Sequence, residues 1–110
     1  MGKKSRTKGH GYEREIANKL KPLFPDARRH LEYQTGAAEL GIDLINTGNL
    51  LIQCKRYKTY VPITKIKEIK EVSGKIPVLV TKADRQPDMV VLKLDDFLSI
   101  LADIGVVYER

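Results

Sequence analysis

Cysteine is almost missing from this sequence: Cys54 stands alone among 110 residues. That excludes an internal disulfide framework and any all-cysteine metal site. Histidine is nearly as scarce, and the spacing of His10 and His30 matches no zinc motif; both read as surface or phosphate-proximal residues. No apolar run approaches the ~20 residues that a membrane helix needs, and nothing like a signal peptide precedes the first charged stretch. Repeats and low-complexity segments are absent too. The expectation is an intracellular, cytoplasmic chain with no membrane partner. What is present agrees, since 42% apolar and 31% charged residues is the balance of a folded protein. At this length one domain is the natural organisation.

Charge has a sign and a distribution. Lys plus Arg number 20 against 14 Asp plus Glu, a formal net charge of +6. Lys3, Lys4, Arg6 and Lys8 come before the first acidic residue, Glu13. Arg28-Arg29 and Lys55-Arg56 with Lys58 form later clusters. A basic excess spread over short segments suits a polyanion such as nucleic acid. These nine cations less Lys55, together with Arg14, are the candidate contacts to a DNA backbone. Residues 1–9 have no apolar periodicity and read as a flexible basic arm ahead of a folded unit at 10–110. Such an arm would add salt-dependent, sequence-independent affinity through counterion release.

Along that unit, Tyr12, Ile16, Leu20 and Leu23 recur at helical spacing between His10 and Phe24, and Pro25 stops the helix. A short polar strand is expected over 28–34. Gly41 to Ile45 and Leu50 to Lys55 are apolar runs across the turn-rich Asn46-Thr47-Gly48-Asn49, which predicts an antiparallel hairpin. Between them and the first helix, Thr35 to Leu40 reads as a loop that could approach DNA. Pro62 suits a helix start, and Ile63, Ile66, Ile69 and Val72 outline a second helix ending at Ser73-Gly74. Pro77 to Thr81 is a compact interior strand, Met89 to Leu94 pairs with it, and Asp95 or Asp96 caps a last helix. The order predicts an α/β domain, a mixed five-stranded sheet flanked by helices.

Some polar side chains sit where they are costly. Asp43 lies between Ile42 and Leu44, and an ionised carboxylate in an interior strand needs a compensating cation. Gln53 and Lys55 stand two apart in the next strand and leave the same face, whereas Cys54 points the other way as a small buried hydrophobe. If the two strands adjoin, Asp43 and Lys55 compensate each other and a divalent metal can join them. Mg²⁺ prefers hard oxygen ligands and takes one or two protein carboxylates. Asp43 is the first candidate ligand, with the Gln53 amide oxygen, the Cys54 carbonyl and Glu13 as further ones. Lys55 would orient a bound water and offset charge on a phosphate. Glu39, four residues before Asp43, is a further candidate carboxylate.

The segments Gly11-Tyr12-Glu13-Arg14-Glu15-Ile16, Gly41-Ile42-Asp43-Leu44, Ile52-Gln53-Cys54-Lys55 and Lys75-Ile76-Pro77-Val78-Leu79-Val80, in that order, resemble the PD-(D/E)XK nuclease superfamily. Within it the order is most similar to archaeal-type Holliday-junction resolvases and small phage nucleases, over roughly residues 9 to 101. The resemblance implies a restriction-endonuclease-like fold and a metal-dependent DNA endonuclease using Mg²⁺, with Mn²⁺ as a substitute. It makes Glu13 the first-helix acid, Asp43 the central metal ligand and Lys55 the catalytic lysine. Gln53 takes the position where the family commonly has glutamate. Branched DNA as the partner and a homodimer are implied as well.

Overall fold

The computed structural model describes residues 2–30 and 35–105, with residues 2–8, 35, 37 and 38 described through their backbone alone. Helix α1 spans Gly2–Leu20, so the segment expected to be an irregular arm is the first part of this helix. Lys and Arg are good helix formers, and propagation from a turn anchored by packing costs little. The anchor is the periodic stripe read from sequence: Tyr12, Ile16 and Ala17 are buried. The helix stops at Leu20 rather than Phe24 because Pro22 disfavours helical geometry at Lys21 before it.

The described residues hold five strands, but in two small sheets rather than one. Strands β1 (Arg28–Arg29) and β2 (Leu44–Ile45) pair antiparallel. Residues 31–34 of the longer expected first strand lie outside the described residues. Strand β3 (Leu50–Tyr57) runs parallel to β4 (Ile76–Ala83), which pairs antiparallel with β5 (Met89–Val91). The mixed sheet has the order β3-β4-β5, with β4 interior as its apolar run predicts.

The expected hairpin fails to zip because the chain bends at Asp43. Ile42 packs in one apolar cluster with Leu51 and Ile69, while Leu44 packs in the other with Tyr12, Ile16, Ile52 and Val80. A straight strand would send both to the same face. One ladder bond survives, from the Asp43 N–H to the Ile52 carbonyl at 2.8 Å, and β2 then takes β1 as its partner. The two clusters also define the faces of β3. Ile52 and Cys54 point toward α1, and Leu51 points the other way, so alternation puts Gln53 and Lys55 on Leu51's side.

Two more segments differ from expectation. Thr35–Leu40 is a six-residue helix, α2, in place of a loop. The crossover from β3 to β4 carries a 3₁₀ helix, η1 (Ile63–Glu68), in place of an α-helix. Ile63, Ile66, Ile69 and Val72 recur strictly every third residue, which is the 3₁₀ period; Ile69, just past its end, is buried. Helix α3 (Leu94–Asp103) has Lys93 at its N-cap, and Asp95 and Asp96 fall inside its first turn instead of capping it. Among the described residues no helix is long and apolar enough to cross a membrane.

Candidate active site

Asp43 is held on three sides at the free edge of β3. Its N–H donates to the Ile52 carbonyl and its own carbonyl accepts from the His30 N–H at 3.0 Å. Its Oδ2 accepts the Cys54 N–H at 2.7 Å, so a side-chain carboxylate stands where the next ladder carbonyl would be. That bond is short and charge-assisted and fixes the carboxylate's direction. Burial pushes the Asp43 carboxyl up to about 6, and the nearby Glu13 charge adds to this; the Cys54 N–H, Lys55 and His30 pull the other way. Desolvation dominates because one hydrogen bond does not replace full hydration of an anion.

A cavity of about 320 Å³ brings Asp43 together with Glu13 and Lys55; Arg56 and Tyr57 complete one side of it. Glu13 reaches it from α1, where the buried stripe of Tyr12 and Ile16 orients the helix. A 3.2 Å bond from Arg29 Nε holds its Oε2. Lys55 reaches it from β3, with its Nζ 3.7 Å from Glu68 Oε1. The three residues picked from sequence as acid, ligand and lysine therefore line one cavity. Cys54 contributes backbone to the wall while its thiol is buried in the core, and burial beside Asp43 raises its pKa. It is no nucleophile there, since the thiolate is the reactive form.

Gln53 does not line this cavity. Its side chain is only 5% exposed, and its Nε2 donates to Glu68 Oε1 at 3.1 Å. Its Oε1 is buried with no hydrogen-bond partner among the described residues. Glu68 was not a sequence candidate: it sits in a Lys-rich stretch that reads as a solvated face, fifteen residues from Gln53. Lys65 donates to its other oxygen at 2.9 Å, and that bond, with smaller help from Gln53 and Lys55, keeps its pKa low. Glu39 is exposed on α2 and is not brought to the cavity. Among the described residues no three His, Cys, Asp or Glu side chains converge to hold an ion. The two carboxylates on the one cavity still fit a Mg²⁺ that keeps most of its waters; the Gln53 amide oxygen, outside that cavity, does not join them.

The candidate DNA contacts divide. Arg14, Arg28 and Arg29 line one cavity beside α1. Arg56 borders the acid pocket, its Nε 3.8 Å from Asp84 Oδ1, and Lys58 is exposed just past β3. The side chains of Lys3, Lys4, Arg6 and Lys8 lie outside the described residues. No family model, curated protein or solved structure matches the chain.

Proposed function

We propose that the chain is a metal-dependent DNA endonuclease of the PD-(D/E)XK type, and specifically a Holliday-junction resolvase. The observation that carries this reading is the single cavity shared by Glu13, Asp43 and Lys55. A bound Mg²⁺ or Mn²⁺ supplies a Lewis acid for the phosphate and a water of lowered pKa. Asp43 and Glu13 would present carboxylate oxygens to it; the Gln53 amide, outside the cavity and paired with Glu68, would not. The Lys55 ammonium orients the attacking water and offsets charge on the phosphate. A four-way junction needs two symmetric cuts, which a two-fold homodimer provides. The apolar last helix, α3, and the segment 104–108 after it are its candidate interface; residues 106–108 of that segment lie outside the described residues.

One observation favours a second reading, a non-catalytic DNA-binding module of the same fold. Gln53 is buried against Glu68 and outside the cavity, so the usual third carboxylate is missing. Cleavage gels with a four-way junction and a linear duplex side by side, in Mg²⁺ and Mn²⁺, separate the cases. The resolvase cuts the junction selectively, and Asp43→Asn and Lys55→Ala abolish cutting while changing DNA affinity by no more than a few fold. Tight binding without cutting gives the module, and equal cutting of both substrates gives a general repair or nicking nuclease.

A further inference from the structure

A second cavity, of about 370 Å³, lies between α1 and β1. Its floor is made by Ala17 and Ala27, which are 3% and 1% exposed. Small side chains at these two positions leave a depression that a leucine would fill. Its walls carry four cations: Arg14 and Lys21 from α1 and the turn after it, Arg28 and Arg29 from β1. Arg14, Ala17 and Asn18 follow an i, i+3, i+4 pattern and share one face of α1, and Lys21 follows in the turn just past it. An adjoining hollow of about 450 Å³ shares Lys21, Ala27 and Arg28, and ends at Asp26 and Asn46. Together they form an open, elongated groove.

Most of this charge is uncompensated. Among the described residues no carboxylate pairs with Arg14, Lys21 or Arg28, and all three are exposed. Arg29 is the exception, and its partner is Glu13. Arg29 thus forms a wall of the basic groove while its Nε holds a side chain of the acid pocket. A closed cup would suit one free anion; an open row of cations suits a repeating one.

We propose that the groove between α1 and β1 is a binding track for a phosphodiester backbone, carrying it toward the Glu13–Asp43–Lys55 pocket past Arg29. The proposal deepens the nuclease reading and rests on it for the destination of the strand, but backbone binding is measurable without metal or chemistry. The probe is a fluorescein-labelled DNA duplex, titrated by anisotropy in EDTA at several salt concentrations. The paired substitution Lys21→Gln with Arg28→Gln should weaken binding about tenfold or more at low salt. It should also flatten the slope of log affinity against log salt by roughly 1 to 2. The paired substitution Lys67→Gln with Lys75→Gln removes the same charge from exposed positions in and after η1 and should leave affinity and slope within twofold. Unchanged binding in the groove variant, or an equal loss in both variants, overturns the track. Loss confined to the groove variant, in a protein that never cuts DNA, keeps the track and removes the nuclease reading.

Discussion

Asp43 shows how one residue can cost stability and still be kept. Its pKa in the fold is about 6, raised from an ordinary value of 3.8. The folded protein therefore holds the proton more tightly than the unfolded chain does. Stability from this site is fully present below about pH 4 and is lost as pH rises through about 6. Asparagine at this position cannot ionise, yet it keeps an oxygen to accept the Cys54 N–H. Asp43→Asn should therefore stabilise the protein by about 1–3 kcal/mol at pH 8, since each tenfold difference in proton affinity between the folded and unfolded chain is worth ~1.4 kcal/mol. At pH 4 the substitution should change little. Urea unfolding at the two pH values checks this. A variant no more stable than the parent at pH 8 would mean that the carboxylate is already compensated in the fold. A residue that weakens the fold while facing a cavity is what a functional carboxylate looks like.

Among the elements, the approach of Gly41 to η1 sets the geometry around Glu68. Gly41 has a φ of +75°, and a Cβ there would lie 2.2 Å from the Glu68 carbonyl oxygen. The Lys70 N–H donates to the Leu40 carbonyl at 2.9 Å, so the chain before Asp43 is tied to the end of η1. Gly41→Ala combines left-handed strain of about 1–2 kcal/mol with that clash. A loss of at least about 2 kcal/mol is expected in urea unfolding; a loss under about 0.5 kcal/mol would show that the contact is slack. Strand β4 was legible because Val78, Leu79 and Val80 form a continuous apolar run, and α1 because Tyr12 and Ile16 repeat at its period. Asp43 and Lys55 stood out because charge amid aliphatics is costly wherever it falls. The two-sheet arrangement was hidden in the bend that sends Ile42 and Leu44 to opposite faces, and alternation alone carries no trace of it. Glu68 was hidden because its partner is distant in sequence and its neighbours are lysines.

At the scale of the whole molecule, α3 is the element whose environment is least complete. None of its residues is buried. Leu94, Phe97 and Leu98 fall on one stripe at i, i+3 and i+4 and are 68%, 46% and 51% exposed. A ten-residue helix whose apolar side chains are at best half-buried is marginal in water. The β5 edge of the mixed sheet lies nearby in sequence and leaves Met89 and Val90 exposed as well. A second copy joined through this stripe would bury it and, under the resolvase reading, place two cutting sites on one assembly. The full chain should then sediment at twice its 12.5 kDa at micromolar concentration. Phe97→Lys with Leu98→Lys should return it to the monomer without unfolding it, because both side chains are exposed. The monomer should still bind duplex through Lys21 and Arg28, and on a four-way junction it should leave single nicks instead of paired cuts. A parent chain that sediments as a monomer at tens of micromolar removes the α3 dimer, and with it the geometric basis for symmetric cleavage, while the acid pocket and the basic groove, each confined to one chain, are untouched.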